Sequence, residues 1–437
     1  MKRCAIVILG ATGDLARRKL LPGLKKLYNN KQLPSDCTLI ASGRNFMTTD
    51  DFKRHAKLSS DYPIDITYHA GINGLHELLK CKGSFSRIIF FCALPPSAYV
   101  TTARQIKAEG FGKEAILIIE KPFGINAASA RELNDALVKE FPEEQIFRID
   151  HYLAKEAVRN LLTLRFANPL FSDIWNSSEI DSIQISSLET LGVESRAAYF
   201  DNSGIIRDMV QNHLFQMLSL TAMEPPENLN AETIRASKIN LLRSLKVERC
   251  ICGQYSGYKN EPGIRSGSTT ETYAELELSI NNPRFKGCPV YIRAAKGCSK
   301  SGTDIGITFR PINKGPFASK KDLPANFIIV KIQPQAGIIL GLATRVPGSD
   351  EIIESTAMNL CYHDAFKHEW PDAYEKLLLD AVSGDRTLFV GAEETETAWT
   401  ILDDVLDKGY SFEYPFGTTP ESKLGAKWIE FSEYCTL

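Results

Sequence analysis

Several features that would assign a protein to a special class are missing from this sequence of 437 residues. No run of about 18 apolar residues occurs, so no segment is expected to span a membrane as a helix. The formal charge is only −2, which gives no general attraction to nucleic acid or to an anionic membrane. The first apolar run, 5–9, is shorter than the roughly 7–15 residues of a signal peptide core. We therefore expect a cytoplasmic protein that binds neither nucleic acid nor membranes.

The cysteines lack the spacing of a metal site, although there are ten of them. The closest pair, Cys250 and Cys252, has no second pair and no histidine at the distances that zinc sites use. Most others lie in apolar runs, such as Cys92 in "IIFFCAL". Free thiols in a reducing compartment are the interpretation that this pattern favours, and no metal site is predicted.

What the sequence does contain is enough apolar residues, 43%, for a sizeable core, in a length that suggests two or three domains. In its first part, continuous apolar runs alternate with helical patterns, which predicts a doubly wound parallel sheet. The predicted strands are 5–9, 37–44, 86–94 and 114–124, and the clearest helices are 97–110 and 127–140. We predict an α/β Rossmann-type domain over residues 1–150.

After residue 150 the pattern changes to strands that follow one another without crossover helices, which is typical of antiparallel sheets. The predicted strands are 179–190, 272–280, 288–296, 304–311 and 326–334, and the predicted helices are 153–166, 203–223, 371–383 and 393–407. We predict that residues 151–437 form an α+β domain with a large, mainly antiparallel sheet.

The segment "LGATGDLARRKLLP" joins the first predicted strand to the first helix. Gly10 permits a tight turn, Gly13 lets the main chain approach a phosphate, and the following helix offers free N–H groups. A purely steric role of the glycines is the alternative, because strand-to-helix turns often contain glycine. The position on the first strand of a βαβ array favours nucleotide binding.

The end of the second strand, "ASGR", points to the kind of nucleotide. Proteins that bind NAD usually have an acidic residue here, which holds the ribose 2′-hydroxyl. This chain has Arg44 instead, whose guanidinium suits a phosphate, and this favours NADP. A solvated surface arginine is the alternative.

A third group of charged residues lies in "EKPFG", at the end of the predicted strand 114–124, and in "FRIDHYLAKE", which follows one helix-like run and opens another. Lys121 lies at the edge of the sheet where ligands of α/β folds bind. His151 and Lys155 are four residues apart at the start of a helix, so with Tyr152 they can converge on an anion. A solvated Lys121 and an exposed charged face are the alternatives.

His213 lies on the apolar face of the predicted helix 203–223. A histidine in such a position is more often a core residue than a catalyst. It becomes a candidate general base if a carboxylate orients it, and Asp150 is free to do so. Spacing alone leaves both interpretations open.

Together these motifs resemble the glucose-6-phosphate dehydrogenase family along nearly the whole chain. The resemblance is carried by "GATGDLARRKLLP", "EKPFG", "RIDHYLAKE", "ETLGVESRAAYFDNSGIIRDMVQNHLFQMLSLTAMEPP" and "DAYEKLLLDAVSGDRTLFV", in the order of that family. It implies oxidation of β-D-glucose 6-phosphate to 6-phosphoglucono-1,5-lactone with NADP, the first oxidative step of the pentose phosphate pathway. It also implies a homodimer or homotetramer that assembles through the second domain.

The resemblance further implies a role for each candidate residue. The catalytic pair would be the general base His213 with Asp150. The cofactor would bind to Gly10, Ala11, Thr12, Gly13, Asp14, Leu15, Arg44 and Lys121, with Thr12 and Arg44 at the 2′-phosphate. The substrate would bind to Lys19, Lys121, His151, Tyr152, Lys155, Glu189, Asp208, Lys296 and Gln333.

The chain departs from the family pattern in three places. The region 55–85 is short, and "YPFGTTPESKLG" lacks the usual tryptophan. Ser301 stands where a second basic residue normally follows Lys296, with Lys300 one position earlier.

The alternatives to this family are a sugar oxidoreductase of similar architecture and a nucleotide-sensing regulator without catalysis. The first lacks "RIDHYLxKE", and the second is disfavoured because His213, Asp150 and Lys155 are all present.

Overall fold

The computed structural model forms two compact units and describes residues 3–59, 61–320, 322–349, 351–367 and 369–429. Unit 1 comprises Met1–Ala154, Asn228–Arg235 and Trp370–Glu396. Unit 2 comprises Lys155–Glu227, Ala236–Glu369 and Thr397–Leu437. Within the described residues, no helix is long and apolar enough to cross a membrane, and the nine cysteines are free thiols.

The centre of unit 1 is a seven-stranded sheet in the order β15-β6-β5-β4-β1-β2-β3. Strands β1 to β6 run parallel to one another, and β15 runs antiparallel to β6. The strands are β1 (Cys4–Leu9), β2 (Thr38–Gly43), β3 (Asp65–Ala70), β4 (Arg87–Cys92), β5 (Ala115–Ile119), β6 (Ile146–Ile149) and β15 (Phe389–Val390). The order β3-β2-β1-β4-β5-β6 is that of a doubly wound dinucleotide-binding sheet, so the prediction of a Rossmann-type fold is confirmed.

Helices connect these strands, and every residue of β1, β2 and β5 is buried, as the continuous apolar runs indicated. The helices of unit 1 are α1 (Leu21–Asn29), α2 (Thr49–His55), α3 (Leu75–Lys82), α4 (Tyr99–Ala108), α5 (Ala127–Val138) and α12 (Ala373–Ser383). The sequence did not predict β3, because this strand lies at the sheet edge. Its "DITYHA" has alternating polar residues in place of an apolar run.

The segment Trp370–Glu396 belongs to unit 1, although the sequence placed it in the second domain. Phe389 and Val390 of β15 pair with the end of β6, and the rings of Phe389 and Phe147 lie 4.6 Å apart. Helix α12 packs on α1 at Gly23, where a Cβ atom would lie only 3.2 Å from Cγ of Glu375. Strand pairing and helix packing thus place a segment that is distant in sequence in unit 1. The hydrophobic periodicity of the sequence does not show such a contact.

Unit 2 contains a nine-stranded sheet in the order β14-β13-β12-β11-β7-β10-β9-β8-β16. Its strands are β7 (Ile180–Leu188), β8 (Leu245–Tyr255), β9 (Tyr273–Ile280), β10 (Val290–Ala295), β11 (Gly302–Phe309), β12 (Phe327–Gln333), β13 (Gly337–Arg345), β14 (Ile353–Cys361) and β16 (Phe412–Tyr414). β7 is parallel to β10, and β8 is parallel to β16, whereas the other neighbouring pairs are antiparallel. The predicted large, mainly antiparallel sheet is therefore confirmed.

The predicted helix 203–223 is interrupted, because Gly204 has φ +68°. After this residue the chain forms a π-helical segment, Ile206–Leu214, before the α-helical geometry resumes. The α-helices of unit 2 are α6 (Glu156–Phe166), α7 (Pro169–Ser172), α8 (Ala197–Ile205), α9 (Phe215–Ala222) and α11 (Tyr362–Ala365). The two remaining helices of the chain are α10 (Ala231–Ser244) and α13 (Ala392–Leu402).

A buried arginine stabilises the end of α9. Arg165 donates hydrogen bonds to the carbonyl oxygens of Leu220 (2.8 Å) and Met223 (2.7 Å), which have no partner within the helix itself. Burial lowers the pKa of Arg165 to about 9, with a further contribution from nearby Arg284. The charge at this C-terminus is favourable for the helix dipole and holds the end of the helix in place.

Candidate active site

The glycine turn after β1 is tied closely to its neighbours in unit 1. Gly10 has φ +84°, and a Cβ atom there would lie 2.2 Å from the carbonyl oxygen of Ala93, so glycine is required. The N–H groups of Gly10 and Ala11 both donate to the carbonyl oxygen of Ser42 at 2.9 Å. Gly13 donates to Gly10 O at 2.9 Å, and a helical segment follows. This geometry fits the approach of a dinucleotide phosphate to the main chain.

The end of β2 lies directly against this turn. A Cβ atom at Gly43 would lie 2.8 Å from the Tyr68 hydroxyl and 3.5 Å from Cγ2 of Thr12. Arg44 follows as an exposed side chain, and the Tyr68 hydroxyl donates to Asn45 O at 2.6 Å, which holds the loop. Thr12 and the start of the Arg44 loop are therefore neighbours, as a shared 2′-phosphate site would require.

The other turn residues have their own contacts. The Asp14 carboxylate, in the first helical turn, pairs with Arg17 at 3.1 Å and Arg18 at 2.9 Å. Leu15 precedes the π-helical segment Ala16–Leu20 at the start of the first helix. Lys19, within that segment, lies 3.7 Å from the Asp372 carboxylate at the N-cap of α12.

Lys121 and the group Asp150–Tyr152 follow β5 and β6, two adjacent parallel strands, so they share one edge of the sheet. Oδ1 of Asp150 accepts a hydrogen bond from the Tyr152 N–H at 2.9 Å. The rings of His151 and Tyr152 have centroids 5.1 Å apart. Four of the predicted residues are thus brought to the carboxyl edge, where ligands of doubly wound sheets bind.

The structure adds two residues to this edge that the sequence did not single out. The Tyr374 ring on α12 stacks on His151, with centroids 6.2 Å apart and an interplanar angle of 12°. Its hydroxyl forms a hydrogen bond with Glu120, the last residue before Lys121. Burial raises the pKa of Glu120 to about 7, against the opposing effects of Tyr374 and Lys121. The motif "DAYEKLLLD" was the available signal, but it gave no role to any residue.

In unit 2, three predicted substrate residues lie at one end of the sheet. Glu189 follows β7, Lys296 follows β10, and Gln333 is the last residue of β12. The register pairs Leu188 with Ala295, so Glu189 and Lys296 are side by side, and their charged groups lie 2.5 Å apart. Nζ of Lys155 donates to Oε1 of Gln333. Two lysine side chains, each paired with an acceptor, therefore lie at this end of the sheet.

Lys300 and Ser301, the two positions considered for a second basic residue after Lys296, have different surroundings in the structure. The Ser301 hydroxyl accepts from Thr190 N–H at 2.8 Å and donates to the Thr190 hydroxyl at 3.0 Å. It therefore braces the strand end that carries Glu189. Lys300 lines a cavity of about 500 Å³ together with Arg293 and Thr419.

Asp208 and His213 are both buried and lie on the π-helical segment Ile206–Leu214. The hydrogen bonds of a π-helix link residues five apart, so Asp208 and His213 lie on the same side of this segment. In an α-helix, residues five apart would not lie on the same side. The segment contacts β7 and β10 of the sheet. Arg196 lies 3.9 Å from the Asp208 carboxylate. His213 belongs to unit 2 and Asp150 to unit 1, and their pairing stays a prediction.

Glu271 holds the start of this π-helical segment in place. Its Oε1 accepts from Ile206 N–H at 3.2 Å, at the first residue of the segment. A Cβ atom at Gly204 would lie 2.1 Å from the same oxygen, so glycine makes room for the carboxylate. Burial raises the pKa of Glu271 to about 7 despite the hydrogen bonds that it accepts and the nearby Arg207.

Comparison with known families covers both units. The family model "Glucose-6-phosphate dehydrogenase, NAD binding domain" matches residues 7–70 and 56–160. The family model "Glucose-6-phosphate dehydrogenase, C-terminal domain" matches residues 162–428. The chain belongs to the glucose-6-phosphate dehydrogenase family. The resemblance inferred from the motifs is therefore confirmed, and unit 1 contains a domain that binds a nicotinamide dinucleotide.

Individual relatives in this family are similar over nearly their whole length. The glucose-6-phosphate 1-dehydrogenase of Dictyostelium discoideum is 38% identical in an alignment 441 residues long, which covers 92% of this chain and 88% of that protein. A solved structure of glucose-6-phosphate dehydrogenase with its substrate glucose-6-phosphate is 32% identical, with a TM-score of 0.90, covering 97% of this chain and 96% of the other. The enzyme of Mycobacterium avium is 31% identical, with a TM-score of 0.86 and coverages of 95% and 94%.

Proposed function

We propose that the protein oxidises β-D-glucose 6-phosphate at C1, giving 6-phosphoglucono-1,5-lactone, with NADP as the oxidant. The observation that carries this proposal is the match to both domains of one family, over residues 7–160 and 162–428. The relatives named for this activity cover most of the chain. As the first oxidative step of the pentose phosphate pathway, the reaction would couple sugar oxidation to formation of NADPH.

In this proposal, His213 accepts the proton of the C1 hydroxyl as the C1–H bond transfers its hydride. The bound nicotinamide supplies the hydride acceptor. As C1 loses its hydride and its hydroxyl proton, the C1–O bond would become the lactone carbonyl. Asp150 would stabilise the imidazolium that forms, as a buried carboxylate does in other base-assisted reactions. The burial of both side chains is consistent with these roles.

The sugar phosphate would bind to His151, Tyr152 and Lys155, joined by Lys296. The Lys155–Gln333 pair and the Lys296–Glu189 pair hold both ammonium groups in defined positions. A charge-assisted contact of this kind is stronger than a neutral hydrogen bond. Glu189 and Asp208 would accept hydrogen bonds from glucose hydroxyls, Gln333 would lie on the sugar side, and Lys19 and Lys121 would lie near the reacting end.

The NADP site would lie at the glycine turn and the end of β2. The absence of any side chain at Gly10 and Gly13, with the N–H groups of the first helical turn from Asp14 and Leu15, fits the diphosphate. Thr12 and Arg44 would hold the 2′-phosphate that distinguishes NADP from NAD. Lys121, at the end of β5, would reach both cofactor and substrate. Unit 1 would thus be the NADP-binding domain, and unit 2 the domain for substrate binding and assembly.

We further propose a homodimer or homotetramer, assembled through the sheet of unit 2. Strand β14 is at the edge of that sheet and leaves apolar side chains uncovered, with Met358 62% and Leu360 45% exposed. Exposed apolar patches of this kind mark contact surfaces. Sedimentation of the purified protein tests the assembly, and cell fractionation tests the expected cytoplasmic location.

The deciding experiment is a spectrophotometric assay at the absorbance of the reduced cofactor. We expect turnover with glucose 6-phosphate and NADP, and at least tenfold lower kcat/KM with unphosphorylated glucose, because a charge-assisted phosphate contact contributes about 1.5–3 kcal/mol. Equal turnover of the two sugars would reject the proposed substrate. A preference for NAD over NADP would reject the proposed cofactor and leave the proposed substrate standing.

A further inference from the structure

We propose that Asp201 is a positioning residue for the proposed reaction, because it fixes the segment 268–272. That segment supports both the π-helical segment with His213 and the strand end with Lys296. This inference deepens the proposed oxidation at C1 and rests on it. Asp201 would act through the main chain that it holds and not by contact with sugar or cofactor. Its loss should therefore slow the reaction in a protein that remains folded.

The carboxylate of Asp201 is buried on α8, and one loop of unit 2 supplies its hydrogen bonds. Oδ1 accepts from the hydroxyls of Tyr258, at 3.0 Å, and Ser268. Oδ2 accepts from Nε of Arg265 at 2.7 Å and from its main-chain N–H at 3.2 Å. The main-chain carbonyl oxygen of Asp201 accepts from Nη2 of Arg265 at 2.9 Å and from the Thr270 hydroxyl at 2.8 Å. Asp201 thus holds this loop through both its side chain and its main chain.

The charge of Asp201 does not change near neutral pH. Burial raises its pKa, but the hydrogen bonds from Ser268, Arg265 and Tyr258 outweigh burial and lower the pKa of Asp201 to about 2. A charged acceptor strengthens each of these bonds. Asparagine in its place would lose the charge and would present an NH₂ group to donors that need an acceptor.

Glu271, the next residue along this loop, supports the start of the π-helical segment. The Ile205 N–H donates to the main-chain carbonyl oxygen of Glu271 at 3.0 Å, and the Ile206 N–H donates to its Oε1 at 3.2 Å. Because Gly204 interrupts the helix, these N–H groups begin a new helical segment, where no earlier turn supplies an acceptor. The placement of His213 along that segment therefore depends on where Glu271 is held.

Thr272, which follows Glu271, supports the end of β10. The Lys296 N–H donates to the carbonyl oxygen of Thr272 at 3.0 Å. The Tyr414 hydroxyl donates to the carbonyl oxygen of Lys296 at 2.7 Å and lies 2.9 Å from Oγ1 of Thr272. Two consecutive residues thus support the proposed base and a proposed phosphate ligand, and Asp201 holds the loop that leads into both.

The test is steady-state kinetics of Asp201→Asn, at a temperature at which a melting curve shows the variant fully folded. kcat should fall about ten- to a hundredfold, because a small displacement of a catalytic group is enough for such a loss. KM for NADP should not change, since the proposed cofactor site lies in unit 1. Tyr258→Phe, which removes one donor to the carboxylate and no carbon atoms, should lower kcat less and in the same direction.

A double-mutant cycle with His213→Asn separates positioning from a general structural role. If Asp201 acts through the base, Asp201→Asn should lower kcat little further in the His213→Asn protein, because the group that it positions is gone. Losses that multiply would overturn the inference.

Glu275→Gln is the matched control. Glu275 is also fully buried, and its carboxylate accepts from the Tyr273 hydroxyl at 3.1 Å and from the Lys423 N–H at 2.8 Å, so it holds a different part of unit 2. This variant should lower the melting temperature and leave kcat of the folded protein unchanged.

Hydrogen exchange adds a measurement that needs no activity. The N–H groups of Ile205 and Ile206 should exchange about tenfold faster in Asp201→Asn than in the wild type, and not faster in Glu275→Gln. Unchanged exchange at these two groups, or a folded Asp201→Asn with near-normal kcat, would overturn the inference. A wild type that does not oxidise glucose 6-phosphate would instead reject the proposed function, and exchange would still decide whether Asp201 holds the π-helical segment.

Discussion

Both units have several of their candidate residues at the carboxyl ends of strands, but they reach this arrangement differently. In unit 1, Thr12, Arg44, Lys121 and Asp150 follow β1, β2, β5 and β6, which belong to a parallel array of strands connected by helices. In unit 2, Glu189, Lys296 and Gln333 follow or end strands β7, β10 and β12. β7 is parallel to β10, and β12 runs in the same direction because β11 is antiparallel to both of its neighbours.

This difference shows when strand direction can be read from a sequence. A strand–helix–strand pattern implies parallel neighbours, so Lys121 could be assigned to the carboxyl edge of the sheet in advance. Strands β7 and β10 are separated by about a hundred residues, and their pairing is decided by the register of a mixed sheet. The neighbourhood of Glu189 and Lys296 followed only from that register.

The largest effect is expected in unit 2, for His213→Asn. If His213 is the general base, kcat should fall by about two to four orders of magnitude while substrate still binds. If it is only a core residue, the melting temperature should fall and kcat should remain. Steady-state kinetics and a melting curve on one preparation separate these outcomes, and His76→Asn, on α3 of unit 1, is the control. A folded variant with near-normal kcat would contradict the mechanism.

Asp150 of unit 1, which we propose orients the base, should matter less than the base itself. Asp150→Asn keeps the shape of the side chain and removes the charge that would stabilise the imidazolium, so kcat should fall, but less than for His213→Asn. Comparison of the two kcat values under identical conditions is the measurement. An unchanged kcat in Asp150→Asn would mean that unit 1 contributes no orienting group to the base.

The next largest effect concerns the proposed phosphate contact of Lys155 in unit 2. Lys155→Ala should raise KM for glucose 6-phosphate about ten- to a hundredfold, because a charge-assisted contact to an anion is lost. KM for unphosphorylated glucose should hardly change. Lys259→Ala, an exposed lysine that pairs with the Tyr410 hydroxyl, is the control. Equal effects on both sugars would refute the phosphate role of Lys155.

A smaller effect is expected in unit 1 for Arg44→Ala. The variant should bind NADP about tenfold more weakly and NAD as well as before, since only NADP carries the 2′-phosphate. Separate KM measurements with each cofactor test this prediction. Arg131→Ala, which changes an exposed arginine on α5, is the control. A similar loss for NAD would show that Arg44 supports the fold of the β2 loop and not the 2′-phosphate.

The smallest effect concerns stability and Glu271 of unit 2. Its folded-state pKa, about 7, lies above the ordinary value of 4.5, so the folded state binds more protons between these values. Stability from this group should therefore fall as pH rises from 4.5 to 7 and stay low above that. Glu271→Gln should be more stable than the wild type at pH 8 by on the order of 1–3 kcal/mol, and less so at pH 5.

Urea unfolding at pH 5 and pH 8 measures this difference for Glu271→Gln. Glu227→Gln, an exposed glutamate, is the matched control and should show no pH-dependent gain. If the gain of Glu271→Gln is the same at both pH values, the carboxylate at the start of the π-helical segment does not titrate in this range. The acceptor oxygen that the glutamine keeps should preserve the hydrogen bond from Ile206.

Much of unit 1 could be predicted from local patterns, because its buried parallel strands are short apolar runs with glycine turns. The motif around Gly10 and the strands β1, β2, β4 and β5 were found in this way. The group from Asp150 to Lys155 was found by its charged residues, and β6 before it was not predicted. The edge strand β3 was not found, since a half-exposed strand has no continuous apolar run. The π-helical segment of unit 2 was read as an ordinary helix, because an i→i+5 hydrogen-bond pattern leaves no periodic signal in so short a stretch.

The sequence by itself determined the family, the two types of sheet and the residue types available for chemistry. These depend on local patterns and on motifs a few residues long. Only the tertiary structure decided that Trp370–Glu396 returns to unit 1, that Tyr374 stacks on His151, and that Glu189 meets Lys296. Each of these is a contact between distant parts of the chain, and such contacts are selected by strand pairing and side-chain packing over the whole unit, which no local pattern records.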